Sequence, residues 1–232
     1  MCTVTAEKKT AGFCLKKSII LMGIKHCGKT TQGKLLSEHF NCSFQDTDTE
    51  ILKETGKSAR QIYIEDGEET FKNREADICK KMNVLAQQKP IVIATGGGVC
   101  SNPEAIRALR CIDGVFIYMK INEAVAAGRI VREAVFSAHK IENIPAYIAK
   151  KNPQSEKDVR DIFHEFYAVR EQQYKAIADY TVDVSDNSKK ANAQKIIKLL
   201  TIAGFTVSVT AAGISAGSAA ATAAFSAGSA AT

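Results

Sequence analysis

The chain has 232 residues, 45% of them hydrophobic, which is enough for one well-packed α/β domain and too little for two. Its formal net charge of +6 at pH 7 comes from 31 basic residues dispersed among 25 acidic ones. A dispersed charge argues against nucleic acid as the default partner, and a small anionic ligand is expected instead.

The cysteines and the N-terminus bear on the location of the protein. The seven cysteines include no C-x-x-C pair and no nearby histidine at metal-ligand spacing, so they are expected to be reduced thiols. Residues 1–17 form an N-terminal extension that lacks the apolar core of a signal peptide. We predict a cytoplasmic protein, and we expect a monomer that binds neither nucleic acid nor a membrane.

Residues 18–200 alternate short β-branched runs with longer amphipathic stretches, a pattern typical of βαβ units. The predicted strands are 18–22, 42–45, 91–94, 115–120 and 180–184. Helices fit between them, beginning with residues 29–39, and the N-cap Asn102 followed by Pro103 starts another that runs to about Arg110. The expected fold class is α/β, with a parallel five-stranded sheet flanked by helices.

The loop after the first predicted strand, residues 23–30, reads G-I-K-H-C-G-K-T and matches the P-loop pattern G-x-x-x-x-G-K-[ST]. Its backbone N–H groups and the following helix N-terminus suit phosphate oxygens, and an ordinary glycine-containing turn is the alternative. Lys29 is expected to reach the β- and γ-phosphates, and Thr30 to offer its hydroxyl to Mg²⁺. The predicted ATP-binding residues of the loop are Gly23, Ile24, Lys25, His26, Cys27, Gly28, Lys29, Thr30 and Thr31.

Two carboxylates, Asp46 and Asp48, come directly after the second predicted strand. They therefore lie at the carboxyl edge of the sheet, where open α/β folds bind their ligands. One carboxylate can serve the metal and the other an acceptor hydroxyl. The alternative is a turn in which an aspartate caps the next helix.

Two predicted helices carry a charged residue on their apolar face. Glu75 falls on the apolar face of the helix 68–85, and Arg170 falls on that of the helix 159–178. A charge on a core-facing stripe is costly unless it is paired or faces a wet cavity. The alternative is the edge of the stripe, where a long side chain reaches solvent.

Three consecutive glycines, Gly96, Gly97 and Gly98, end the predicted strand 91–94. Glycines weaken a strand and are useful where another group must approach the backbone closely. A loose loop is the alternative explanation.

Residues 201–232 contain no charged side chain, and their apolar content is mostly alanine diluted by serine, threonine and glycine. Such a composition buries little surface and makes a poor membrane span. We predict a flexible tail, and a weak membrane or partner contact is the alternative.

Taken together, these segments resemble the shikimate kinase family in order and spacing over residues 18–200. The resemblance rests on the P-loop, on FQDTDTEILKETGKSARQIYIEDGEETFKNRE, on ATGGGV and on VREQQYKAIADYTVDVS. It implies a P-loop kinase fold with a mobile lid at about residues 129–160. It also implies ATP-dependent phosphorylation of the 3-hydroxyl of shikimate, with Mg²⁺ as cofactor.

The resemblance also assigns roles to single residues. Lys29 and Thr30 would serve ATP and Mg²⁺, and Asp46 would support the metal. Asp48 would bind the acceptor hydroxyl and assist its deprotonation, while Arg129 could lie beside the adenine. The implied shikimate-binding residues are Asp48, Lys72, Gly96, Gly97, Gly98 and Arg170.

The sequence departs from the family pattern in two places. Lys72 stands where the family usually has an arginine, so the acid is expected to lose a bidentate partner. Ile144 stands where the lid usually carries an arginine that meets the transferring phosphate, a group worth roughly three to five orders of magnitude in rate. The candidates for a substitute cation are Lys140, Lys150, Lys151 and Arg160.

Two other functions stay open at this point. One is a related P-loop kinase that acts on another small alcohol, such as gluconate, or on a nucleotide. The other is a nucleotide-binding module with impaired catalysis, which the missing lid arginine would explain.

Overall fold

A computed structural model describes residues 12–137, 140–185, 188–210 and 213–214. Its strands are β1 Gly12–Leu15, β2 Ser18–Met22, β3 Phe44–Asp46, β4 Val92–Ala94, β5 Gly114–Lys120, β6 Val135–Ser137, β7 Lys140–Glu142, β8 Tyr180–Asp183, β9 Thr206–Thr210 and β10 Gly213–Ile214. Its helices are α1 Lys29–Phe40, α2 Thr47–Thr55, α3 Ala59–Gln61, α4 Glu68–Gln88, α5 Pro103–Arg110, α6 Glu123–Glu133, α7 Ala146–Ala149, α8 Glu156–Ile177 and α9 Lys189–Ile202. A π-helical turn covers Ile62–Asp66, and a 3₁₀ turn covers Val99–Ser101.

The core of the molecule is a five-stranded parallel sheet in the order β3-β4-β2-β5-β8. The strand β2 is buried along its whole length, because helices cover both faces of the sheet. The predicted fold class is therefore confirmed. All five predicted strands are present, and the largest displacement is that of β3, which begins two residues later than predicted, at Phe44.

The carboxyl ends of β2, β3 and β4 lie side by side in this sheet. The P-loop follows β2, the Asp46 to Asp48 segment follows β3, and the three glycines follow β4. Since the strands are parallel, all three segments emerge at the same edge. The sheet topology thus brings together the loops that the sequence singled out.

A smaller antiparallel sheet, in the order β1-β9-β10, uses residues that we had assigned to the N-terminal extension and the tail. Phe13 is paired with Ser208 in this sheet, and Lys16 N donates to Phe205 O at 2.9 Å. The described part of the predicted tail is therefore folded, since exposed strand edges gain hydrogen bonds by pairing. Residues 1–11, 211–212 and 215–232 lie outside the described residues. The flexibility of the rest of the tail therefore stays a prediction.

The predicted lid, residues 129–160, spans the end of α6, the hairpin of β6 and β7, helix α7 and the start of α8. Residues 138–139 at the tip of the hairpin lie outside the described residues. Ile144 and Ile148 are fully buried, so this segment packs on the domain. The mobility of the lid stays a prediction.

Two simpler expectations concern the thiols and the membrane. All six cysteines within the described residues are free thiols, and Cys2 lies outside them. Among the described helices, none combines the length and the hydropathy needed to cross a bilayer.

Candidate active site

The P-loop has the curled backbone that phosphate binding requires. Gly23 has a φ of 150°, and a Cβ at this position would lie 2.8 Å from Cys27 Sγ and 2.8 Å from Met119 O. Gly28, with a φ of 95°, is the residue that precedes helix α1. Both glycines therefore occupy conformations or spaces that a side chain would disturb. The loop delivers the N-terminal end of α1 to the carboxyl edge of the sheet.

Lys29 folds back over the loop. Its side chain is buried, and its Nζ donates to Gly23 O at 2.8 Å and to Ile24 O at 3.0 Å. These contacts hold an ammonium group inside the curve of the loop, where the phosphates of a nucleotide would lie. An entering phosphate can replace a carbonyl as acceptor, because hydrogen bonds to charged acceptors are stronger.

Thr30 and Asp46 are in direct contact at the mouth of the loop. Thr30 Oγ1 donates to Asp46 Oδ2 at 2.7 Å, while Asp46 Oδ1 accepts from the backbone of Asp48 at 3.1 Å and of Thr49 at 3.3 Å. The capping alternative for Asp46 is therefore also correct, because one oxygen caps α2 and the other faces Thr30. A hydroxyl and a carboxylate oxygen are ligands that suit Mg²⁺. No group of three or more His, Cys, Asp or Glu in the described residues could hold a metal, so the nucleotide's phosphates would have to supply further ligands.

A cavity of about 610 Å³ opens beside the P-loop. Its polar and charged lining residues are Lys25, Asp48, Arg60, Tyr63, Glu68, Lys72, Glu75, Ser101, Asn102, Tyr147, Lys150, Lys151 and Arg170. Gly96, Gly97 and Gly98 also line it. Asp48, Lys72 and Arg170, which come from three different helices, therefore face a single cavity large enough for a small organic acid.

Arg170 lies over two aromatic rings. Its guanidinium carbon lies 4.4 Å from the ring centroid of Tyr147 and 5.4 Å from that of Phe166. Its Nη1 donates to Gly97 O at 3.3 Å. Aromatic faces fix a guanidinium without using up its N–H donors, so the remaining donors stay available to a carboxylate.

Asp48 is exposed to the cavity and close to other carboxylates. The surroundings of the cavity desolvate the Asp48 carboxyl and raise its pKa, the neighbouring Asp46 adds to the rise, and the Lys29 and Lys25 ammonium groups oppose it. A raised pKa brings a carboxylate closer to the value that a general base needs near neutral pH.

Glu75 is buried at the floor of the cavity, with 1% of its side chain exposed. Its Oε2 accepts from Asn102 Nδ2 at 2.9 Å, whereas Oε1 has no hydrogen-bond partner among the described residues. Burial raises the pKa of Glu75 to about 7, although the Asn102 hydrogen bond lowers it. The alternative that this charge reaches solvent at the edge of the stripe is therefore wrong for Glu75.

A sequence model of the family described as "Shikimate kinase" matches residues 25–201 of this chain. The chain belongs to the shikimate kinase family. Shikimate kinase 1 of Salmonella newport is 32% identical over 187 residues, which are 80% of this chain and 96% of that protein.

Solved structures give the same result. The shikimate kinase of Acinetobacter baumannii in complex with shikimate has a TM-score of 0.65 and 29% identity, and the match covers 81% of this chain and 94% of that one. The shikimate kinase of Aquifex aeolicus has a TM-score of 0.58 and 28% identity, over 79% of this chain and 96% of that one. The fold and the family that the sequence suggested are thus confirmed.

Lys72 stands where the shikimate kinase pattern usually has arginine, and the structure gives it an acidic neighbour. Lys72 Nζ lies 2.9 Å from Glu68 Oε1, and Tyr63 Oη donates to Glu68 Oε2 at 2.8 Å. Glu68 therefore competes with a bound acid for the Lys72 ammonium. Lys72 still lines the cavity together with Arg170.

Arg129 lies against the P-loop rather than in the acceptor cavity. Its Nη1 donates to His26 O at 2.6 Å, and His26 Nδ1 lies 3.3 Å from Glu133 Oε1. This contact places the arginine against the P-loop, which is the nucleotide half of the site. A role beside the adenine stays a prediction.

The four candidate lid cations differ in position. Lys140 pairs with Glu142 at 3.0 Å and Arg160 pairs with Glu156 at 2.7 Å, both outside the cavity lining. Lys150 and Lys151 line the cavity, and each has an acidic partner of its own.

Arg60 lines the same cavity, and the sequence reasoning missed it. Its Nη1 donates to the backbone carbonyl of Ile144, the residue that stands at the position of the lid arginine. The sequence does carry a local signal for the helical turn that contains Arg60, because Ser58 and Gln61 form a capping box that starts α3. That signal places Arg60 on a helical turn, and the long-range contact alone shows that it reaches the lid.

Proposed function

We propose that this chain catalyses transfer of the γ-phosphoryl group of ATP to the 3-hydroxyl of shikimate, giving shikimate 3-phosphate and ADP. The observation that carries the proposal is the single cavity in which Asp48, Lys72 and Arg170 meet beside the P-loop. Two cations suit the carboxylate of the acceptor, and one carboxylate suits its hydroxyl. The reaction belongs to the biosynthesis of aromatic amino acids.

On the nucleotide side, the P-loop amides and Lys29 would bind the β- and γ-phosphates, and Thr30 with Asp46 would hold Mg²⁺. When bound, Mg²⁺ neutralises charge on the phosphate oxygens. Lys29 already lies inside the loop, so little reorganisation is needed when the nucleotide binds. In phosphoryl transfer most of the catalysis comes from such positioning and charge neutralisation.

On the acceptor side, Arg170 and Lys72 would hold the carboxylate of shikimate and thereby fix the orientation of its ring. Asp48 would accept a hydrogen bond from the 3-hydroxyl and take its proton as the oxygen attacks phosphorus. Gly96, Gly97 and Gly98 would let the ring approach the backbone closely, because they place no side chain in the cavity.

A panel of acceptors tests this function directly. Purified full-length protein with Mg-ATP should release ADP at a rate that depends on shikimate, and gluconate or nucleoside monophosphates should not replace it. Preference for one of those acceptors would make the chain a related P-loop kinase. Nucleotide binding without ADP release on any acceptor would favour the module with impaired catalysis.

We also propose that the protein acts in the cytoplasm as a monomer on small-molecule substrates. The six free thiols of the described residues agree with a reducing compartment. Light scattering at assay concentration tests the oligomeric state, and a mass twice that of the chain would contradict the proposal.

A further inference from the structure

Two cations, Lys25 and Arg60, line the cavity beside the P-loop. Lys25 belongs to the P-loop, and Arg60 belongs to α3. Their charges act on one another, because the pKa of Lys25 is lowered first by burial and then by the Arg60 guanidinium. Two like charges that line one cavity and act on one another favour the binding of an anion.

Neither of these cations is neutralised by an ion pair within the described residues. The other lysines of the cavity differ in this respect, since Lys72 and Lys150 approach Glu68 at 2.9 Å and 3.6 Å. Asp48 and Glu133 act electrostatically on Lys25 but form no ion-pair contact with it in the described residues. Lys25 and Arg60 therefore keep their charges available to an anionic ligand.

The guanidinium of Arg60 is held by the chain that covers the cavity. Arg60 Nη1 donates to the carbonyl of Ile144, whose side chain is fully buried. The capping box of Ser58 and Gln61 fixes the turn that carries Arg60, with Gln61 N donating to Ser58 Oγ at 3.2 Å. A carbonyl uses one guanidinium nitrogen and leaves the charge and the other donors free for a ligand.

We propose that Arg60, together with Lys25, binds the γ-phosphoryl group during transfer and supplies the cation that Ile144 cannot. This inference rests on the proposed kinase function of the same site. As the acceptor oxygen forms its bond to the γ-phosphorus, the bond from phosphorus to the β,γ-bridging oxygen breaks and its electron pair leaves with ADP. The hydroxyl proton passes to Asp48, and the phosphoryl oxygens face Arg60 and Lys25.

This arrangement differs from a lid that carries its own arginine. Here the arginine comes from α3, and Ile144 contributes the backbone carbonyl that orients it. A guanidinium so placed stabilises charge that spreads over the equatorial oxygens in the transition state, which an arginine supplied in cis can do. Arg60 would therefore lower the barrier more than it would tighten binding of ATP.

Steady-state kinetics of Arg60→Met and Arg60→Lys in the full chain test the proposal, with Arg74→Met as a matched control. Arg74 is an exposed arginine of α4 that faces a separate surface depression. We expect Arg60→Met to lower kcat roughly 1,000-fold while the KM for shikimate and the Kd for ADP change less than about fivefold. Arg60→Lys should retain part of the rate, and Arg74→Met should match the wild type. A kcat of Arg60→Met within about threefold of the wild type would overturn the proposal.

A binding measurement separates this proposal from the proposed function. Wild-type protein should bind Mg-ADP with aluminium fluoride, a mimic of the transferring group, roughly 10 times more tightly than Mg-ADP alone, and Arg60→Met should lose that difference. This difference in affinity can be measured even if no tested acceptor supports turnover. A lack of turnover would refute the proposed acceptor, and the binding measurement would still decide the role of Arg60. Equal enhancement in the wild type and in Arg60→Met overturns the role of Arg60. Thermal melting of Arg60→Lys confirms that the fold is intact.

Discussion

The carboxylates of Asp48 and Glu75 approach the same face of Gly96. A Cβ built on Gly96 would lie 3.0 Å from Asp48 Oδ1 and 2.8 Å from Glu75 Oε1. The absence of a side chain at this glycine therefore lets two acidic residues from different helices share one corner of the cavity. One of them is exposed to the cavity and the other is buried behind it.

Substitution of Gly96 by alanine should separate the two carboxylates. We expect Gly96→Ala to lower kcat/KM for shikimate roughly 100-fold, since a displacement of about 1 Å at a reacting group can cost that much. The Kd for ADP, measured by titration calorimetry, should change little. Gly128→Ala is the control, because a Cβ on this glycine of α6 would meet no atom within 4 Å and should cost much less.

Substitution of Glu75 by glutamine should change how stability depends on pH. Burial raises the folded-state pKa of Glu75 from 4.5 to about 7, so the native state keeps a proton that the unfolded chain has released between those values. The protonated carboxyl of Glu75 therefore contributes about 3 kcal/mol to the free energy of unfolding. This contribution is fully present below the pKa of Glu75 in the unfolded chain, and it is lost as the pH rises through the pKa in the folded protein.

Urea unfolding of the wild type and of Glu75→Gln from pH 4.5 to pH 7.5 measures this contribution. The stability of the wild type should fall relative to the variant as the pH rises. Asp77→Asn, which removes an exposed acid of the same helix, should keep the wild-type pH dependence. Parallel curves for the wild type and Glu75→Gln would contradict the raised pKa.

Asp48→Asn should affect chemistry far more than nucleotide binding. An amide of nearly the same shape keeps a hydrogen bond to the acceptor and cannot take its proton, so kcat should fall roughly 100- to 10,000-fold. The Kd for ADP should stay within about threefold of the wild type. Equal losses in turnover and in ADP affinity would show that Asp48 supports the nucleotide site instead.

Truncation after Leu200 should destabilise the domain, because part of the segment that the sequence predicted to be a flexible tail is folded. It removes β9, the pairing of β9 with β1, and Phe205, whose ring centroid lies 6.1 Å from that of Tyr180. We expect a loss of roughly 3 kcal/mol in the free energy of unfolding, as for removal of a packed phenylalanine. Truncation after Ile214 keeps the small sheet and should leave stability unchanged, and equal stability of the two truncated chains would contradict the packing role.

Much of the fold and of the candidate site could be predicted because its signals are local. The P-loop is one run of eight residues, strand β2 is one buried run, and Asn102 caps the helix that begins at Pro103. Such patterns depend on periodicity and hydrogen bonding within a few residues, so the sequence carries them directly. The placement of Asp48 and the glycines followed from one more rule, the shared carboxyl edge of parallel strands.

The sequence by itself determined the kinase fold, the phosphate loop and three of the side chains that line the acceptor cavity, Asp48, Lys72 and Arg170. Only the tertiary structure decided that β9 pairs with β1 and that Arg60 reaches the backbone of Ile144, 84 residues away. Contacts between residues so far apart leave no periodic trace in the chain. They form because folding brings unpaired donors, charges and strand edges together, and each of these groups is costly to leave unsatisfied.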